Sequence, residues 1–268
     1  LARIATALGH AEAAAAYSSH FGSQLEALHA HHWSEAAGAF CDWGVHANEG
    51  TFEQQAVIKC EARDGGSSVE ALTPLGGPPK CPQAHPNFLF PLGDGKGGIL
   101  MRDKFVPRSN RIKERHVHRL GYVTLFPLLL RLLPPDSPRL ARTLELLAAP
   151  QRLWSRYGLR SLSKADAWYG RENALGDKPY WRGAIWININ YLAIAALHHY
   201  ASVDGPARHR AHELYVELRD NVVGTVLDEW ERTGCLWEQY SPDDGRGQRN
   251  HPFSGWSALA LLALAERF

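Results

Sequence analysis

AIWININYLAIAALHHYA, residues 184–201, is the stretch on which the fold turns. Ile185, Ile189, Leu192 and Ala196, with Ala193 and Leu197 beside them, leave almost no polar face, so the spacing predicts a helix buried on all sides. The next segment, from Pro206 to about Glu231, sets Leu214, Leu218, Val222 and Val226 against Arg210, Glu213, Glu217 and Asp220, the pattern of a helix with one face in solvent. After a polar glycine-rich loop comes a second apolar run, Trp256 to Phe268, helical by spacing, with Ser254-Gly255 as its start. Buried helix, exposed helix, loop, buried helix is the order of a double-layered α/α toroid whose loops gather at one end. No strand-rich region competes, and the expected fold class is all-α.

Working upstream, HRLGYVTLFPLLLRLLPP repeats Tyr122, Leu125, Phe126, Leu129, Leu132 and Leu133 at helical spacing, with Pro127 tolerable only near a first turn or at a kink. Ser137 and Pro138 suit the cap and first position of a short helix reaching about Ala149. From Pro150 to Gly183 the chain is loop, dense in Trp, Tyr, Arg, Asn and Asp, and loops carried on rigid helices are where binding groups concentrate. Residues 1–32 read as one helix whose face at Ile4, Leu8, Phe21, Leu25 and Leu28 needs a partner, so the chain is expected to be a segment of a longer protein. HHWSEAAGAFCDWG follows as a short hairpin or loop packing Trp33 and Trp43. Between Val45 and His118 glycine, proline and charge dominate, and so long a connection without structure is either an irregular surface insertion or a lid. The expected organisation is one domain, 1–268, with residues 45–118 as an irregular insertion within it.

Composition narrows the function. A net charge of +1 with no basic stripe argues against nucleic acid, and no apolar run reaches the roughly 18 residues of a membrane span, so no membrane contact is expected from this segment. Nine Trp and nine Tyr, many beside Gly, Asn, Asp and Arg, suit a pocket that stacks flat ligand faces and hydrogen-bonds their rims, as sugars require. Cys41, Cys60, Cys81 and Cys235 show no CxxC spacing, the histidines are scattered, and His198 and His199 have no third ligand patterned nearby, so no metal is expected. Cys60 and Cys81 flank a loop they could close in an oxidising compartment, whereas Cys41 and Cys235 read as buried thiols.

The chemical centre is GCLWEQYSPDDGRGQRNHPFSGW, residues 234–256. Glycoside cleavage needs two carboxyl groups, one protonated to assist the leaving oxygen and one ionised to activate water or attack. Glu238 suits the ionised role, with Trp237 and Tyr240 as an apolar wall and a hydrogen bond against it; the plain alternative is a pair with an arginine such as Arg182.

Three long motifs, YGLRSL, YWRGxxWxNxNYLAxxALHHY and WEQYxxxxGxGxxxxPFxGW, together with HRLGYVTLFPLLLRLL, resemble the C-terminal catalytic domain of the eukaryotic processing α-glucosidases of glycoside hydrolase family 63. The resemblance covers most of the chain from His118 onward and, more loosely, the first helix and FCDWG. It implies part of an (α/α)6 barrel in the lumen of the endoplasmic reticulum, an inverting enzyme that removes the terminal α-1,2-linked glucose from the triglucosylated N-glycan precursor, and no cofactor. The family's base lies in the motif that here reads LWEQY, which assigns the role to Glu238. Its general acid lies in a GLDDYPRA-type motif absent here, so the chain alone is expected to be inactive, with the remainder of the barrel or a second copy covering its open faces. Asp166, Asp177, Asp243 and Asp244 are read as loop-ordering or substrate-bonding groups. The substrate-binding set expected is Trp181, Arg182, Gly183 and Trp186, with Arg160, Tyr169, Asp177, Trp237, Tyr240 and Phe253. Of Asn188 and Asn190 at least one should cap backbone instead of touching ligand. The competing functions are a non-catalytic glycan-binding or structural fragment and an inverting trehalase-like enzyme on the same toroid.

Overall fold

The computed structural model describes residues 1–62, 68–72, 88–92, 99–108, 112–172 and 179–265, and between 54 and 102 it describes the backbone. The chain divides into two compact units, one of Leu1–Val45, Glu114–Gly170 and Trp181–Phe268, the other of His46–Lys113 and Arg171–Tyr180.

The first unit is helical. It opens with α1 (Ala2–Ala7) and α2 (Ala11–Ala27), so the single helix expected over 1–32 is broken at Gly9, whose left-handed φ of 77° turns the chain. Of the apolar face expected here, Ile4, Leu8 and Phe21 lie exposed and Leu25 and Leu28 half-buried. The hairpin forms as β1 (Trp33–Ser34) and β2 (Ala39–Phe40), with Trp33 opposite Phe40 and their rings 5.0 Å apart; β3 (Asp42–His46) follows.

The remaining helices are α3 (Tyr122–Leu129), α4 (Pro138–Ala148), α5 (Ile187–Ser202), α6 (Arg208–Thr233) and α7 (Leu259–Ala265), the last entered through a single 3-10 turn, Trp256–Ala258. Gly121 caps α3, and Pro127, lacking the N–H for the helical ladder, precedes the end of the helix by two residues. Ser137 Oγ accepts from Arg139 N at 3.2 Å and Pro138 is the first residue of α4, as expected. Buried α5 packs against α3, α6 and α7, while α6 turns Leu214, Leu218, Val222 and Val226 inward and Arg210, Glu213, Glu217 and Asp220 outward. The helix is not buried all round: Tyr191, Leu192, Ala195, His198 and His199 are half-buried, and Leu261, Leu262 and Leu264 of α7 are exposed.

The second unit corrects the all-α, irregular expectation for 45–118. It holds β4 (Gly50–Ala62), β5 (Ser68–Leu72), β6 (Phe88–Leu92) and β7 (Ile99–Pro107). All pairings are antiparallel: β4 runs along β7 from Gly50↔Pro107 to Ile58↔Ile99, then between β5 and β6. Phe52 and Phe105 meet edge to face at 5.4 Å, and the Arg171 guanidinium lies 3.7 Å over Phe52 while paired with Asp103. Pairing across such sequence distances leaves no local period to read. Cys60 lies in β4, and its suggested closure with Cys81 falls outside the described residues. Beyond this sheet β8 (Lys113–Val117), all but its first residue in the first unit, pairs with β3.

Candidate active site

Three loop segments that precede or follow helices are tied together by backbone hydrogen bonds. Tyr122 N donates to Ser161 O (3.2 Å), Ser161 N to Ala184 O (3.1 Å), and Ile185 and Tyr240 exchange both of their bonds (2.9 and 3.0 Å). The strands β9 (Trp154–Ser155), β10 (Gly158–Leu159), β11 (Gln239–Tyr240) and β12 (Gly247–Gln248) extend this arrangement. Fully buried Asn190 of α5 locks it: Oδ1 accepts from Leu159 N at 2.7 Å, and Nδ2 donates to Trp186 O at 2.8 Å and Tyr122 Oη at 3.1 Å. Tyr122 in turn donates to Leu159 O (2.6 Å) and accepts from Trp186 N (3.2 Å), while burial pushes its hydroxyl pKa far up and keeps the proton in place. Asn190 is therefore the asparagine that caps backbone.

Glu238 sits in the loop between α6 and α7, and only 4% of it is exposed. Its Oε2 accepts from Asn250 Nδ2 at 2.6 Å and lies 3.4 Å from Asn250 N; its own N–H donates to Asn250 O at 3.0 Å, and its carbonyl accepts from Trp256 Nε1 at 2.7 Å. From Trp256 a row of rings runs outward: Trp186 at 5.6 Å, then Trp181 stacked on Trp186 at 4.0 Å and 15°. Phe253 closes the other side of Trp256 at 4.7 Å. Trp181 is 45% exposed and Trp186 0%, so of this stacked pair Trp181 is the ring with a face open to a sugar. A recessed carboxylate held by donated hydrogen bonds, on a residue whose main-chain carbonyl is tied to a row of packed rings ending in an open indole, is an arrangement that can accept a proton beside a stacked pyranose.

The expected binding residues lie at different depths, and several already hold main-chain partners. Trp186 is a support beneath Trp181 and presents no surface. Tyr240, fully buried, accepts from Trp237 N at 3.3 Å with its hydroxyl instead of bonding Glu238. Trp237 packs its indole against His251 (3.7 Å) and donates through Nε1 to Thr233 Oγ1 at 3.2 Å, so it braces the loop. Arg160, 6% exposed, donates to Trp154 O and to Pro150 O (3.1 Å) and hydrogen-bonds Tyr169, whose pKa burial raises. Gly183 makes its close approach to Tyr169: a Cβ there would lie 2.8 Å from the ring, and φ is 136°. Arg182 stacks at 4.6 Å on Trp168, with burial first and Arg119 second lowering its pKa. Asp166 orders the same loop, accepting from Arg119 Nη1 and Trp168 N at 2.8 Å each. Asp177 lies outside the described residues.

Two residues carry no sequence signal of their own. Asn250 falls at an unspecified position of the WEQY motif, and Glu229 is one of many charged residues along α6. Glu229 is nevertheless 3% exposed; Arg232 reaches it through Nε (2.8 Å) and Nη2 (2.6 Å), and Gly247 N donates to it at 2.8 Å. Among the described residues no group of His, Cys, Asp and Glu is arranged to hold a metal ion, and no helix is long and apolar enough to cross a membrane.

The comparisons with known proteins agree on the family. The model for the glycosyl hydrolase family 63 C-terminal domain matches residues 97–266. The Arabidopsis thaliana mannosyl-oligosaccharide glucosidase GCS1 is 42% identical over 173 residues, 65% of this chain and 20% of that protein. Alpha-glucosidase 2 of the same plant is 34% identical over 246 residues, 92% of this chain and 27% of its own length. A probable mannosyl-oligosaccharide glucosidase of Schizosaccharomyces pombe is 47% identical over 149 residues, 55% of this chain and 18% of that protein. The chain thus spans about a fifth to a quarter of the curated relatives it matches. With that family's C-terminal domain model matched from residue 97 to 266, α3 to α7 and the Glu238 loop included, the chain belongs to glycosyl hydrolase family 63.

Proposed function

We propose that this chain contributes the base side of an inverting α-glucosidase that removes the terminal α-1,2-linked glucose from the triglucosylated N-glycan precursor in the endoplasmic reticulum lumen. Glu238 is the base. The observation that carries the assignment is its environment: a residue 4% exposed, its carboxylate held by Asn250 at 2.6 Å and its main-chain carbonyl by Trp256, whose ring packs on Trp186 and so leads to the exposed ring of Trp181. Relatives named mannosyl-oligosaccharide glucosidase, at 42 and 47% identity, support the substrate class.

In the reaction, Glu238 takes a proton from a water as its oxygen bonds to the anomeric carbon, the glycosidic C–O bond breaks, and an opposing acid protonates the departing oxygen. Glucose leaves with inverted configuration. An inverting pair stands about 6.5–9.5 Å apart to admit the water. The acid comes from polypeptide outside these 268 residues, which also completes an (α/α)6 barrel over the exposed apolar residues of α1, α2 and α7. No cofactor takes part.

Glucose release from an α-1,2-linked glucose disaccharide, with the anomer followed by NMR, tests this for the isolated chain and for a form extended upstream. The extended form should release β-glucose and lose turnover by at least about 100-fold on Glu238→Gln. Undiminished turnover in that variant, or α-glucose as first product, overturns the assignment. Preference for trehalose would move the substrate to the trehalase class, and sugar binding without hydrolysis in both forms would make the chain a binding module.

A further inference from the structure

We infer that Asn250 is a positioning residue for the Glu238 base; the inference rests on the reading of Glu238 given above. Three contacts join the two residues. The side-chain amide donates to Oε2 at 2.6 Å, the backbone N–H points to the same oxygen at 3.4 Å, and the Glu238 N–H returns a bond to Asn250 O at 3.0 Å. A primary amide donates without ever titrating, so the contact serves an ionised carboxylate and fixes its plane through the proton transfer.

The backbone is built to bring Asn250 there. Arg249, just before it, has φ 67°, a left-handed conformation that a β-carbon disfavours and that surrounding structure must enforce. The enforcement is visible. Gln239 and Tyr240 pair with Gln248 and Gly247, and the Gln239 and Gln248 side chains bond each other at 3.0 Å. Gly247 N is fastened to the buried Glu229 carboxylate at 2.8 Å. On the far side, Phe253 N donates to Leu236 O at 2.8 Å, and His251 stacks on Trp237. The turn carrying Asn250 is therefore clamped on both flanks to the segment carrying Glu238, and the exposed Asn250 side chain closes over the recessed carboxylate.

The test uses the form of the protein that hydrolyses the α-1,2-linked glucose disaccharide. Asn250→Ala should lower kcat by about 10- to 100-fold with KM within about 3-fold, since losing the amide donor shifts the proton acceptor without touching the sugar's binding face. Asn250→Asp, nearly the same shape, puts a negative oxygen where the amide donated. It should be worse than Asn250→Ala, an order that a merely structural role would reverse. A crystal structure of Asn250→Ala should show the Glu238 carboxylate rotated out of its present plane, a readout needing no turnover. An unmoved carboxylate, or kcat unchanged in both variants while Glu238→Gln is dead, overturns the role of Asn250 alone. Activity surviving Glu238→Gln defeats the parent reading instead.

Discussion

Removing the charge of Glu229 should loosen the turn that reaches Glu238, and the size of the effect follows from its contacts. Its carboxylate accepts two bonds from Arg232 and one from Gly247 N, with Arg246 at 3.6 Å. The Arg232 side chain is 48% exposed, so its pair is worth only the surface value of about 0.2–1 kcal/mol. The bond from Gly247 N to a buried charged acceptor contributes about 1.5–3 kcal/mol. Glu229→Ala should therefore cost about 2–4 kcal/mol, a fall of roughly 5–10 °C in Tm for a chain of this size. Glu229→Gln, which keeps the shape and a neutral acceptor, should cost about half of that.

The pH dependence separates this account from simple packing. The hydrogen bond from Arg232, then those from Gly247 N and the nearby arginines, hold the Glu229 pKa below its ordinary value although burial opposes them. A depressed carboxylate stabilises fully above its unfolded pKa, about 4.3, and that stabilisation is lost as pH falls through the lower folded value. The gap in Tm between the parent chain and Glu229→Gln should be full at pH 6–7 and close below about pH 4, measured by circular dichroism or calorimetry. A gap that is absent at pH 7, or one that persists unchanged at pH 3, refutes the reasoning.

Gly247→Ala should be poorly tolerated, because a Cβ there would fall 2.1 Å from Trp237 Cγ; overpacking of this kind costs about 1–3 kcal/mol, and a displaced indole would shift the tryptophan emission spectrum. The Cys41 thiol, its pKa pushed up to about 11 chiefly by burial and then by Asp42, should resist alkylation at pH 8 in the folded chain and react readily in denaturant, as peptide mass spectrometry would record. Trp181→Ala should raise KM for the disaccharide about 5- to 10-fold while costing about 0.5–1.5 kcal/mol of stability through the lost stack on Trp186, so a binding loss without that modest Tm change would speak against the stacked pair.

What could be read in the chain was what the chain states locally. α5 and α6 announce themselves because burial repeats every three to four residues, and Ser137-Pro138 because capping is a matter of adjacent atoms. β4 does not, since Gly50 finds its partner at Pro107 and nothing between them encodes the pairing. The site divides the same way. Residue type revealed that tryptophans and a carboxylate share a loop, but type carries no depth: Trp181 and Trp186 look alike in sequence, and one is open while the other is sealed. Depth is a property of the ladder in which Ile185 bonds Tyr240, and that ladder spends Tyr240 and Arg160 on holding the backbone together. A base needs an unmoving scaffold more than it needs neighbours that touch the sugar. Aromatic and cationic residues next to a catalytic motif are accordingly as apt to be its foundations as its walls, and what separates the two is whether the polar atom at the tip is already bonded to main chain.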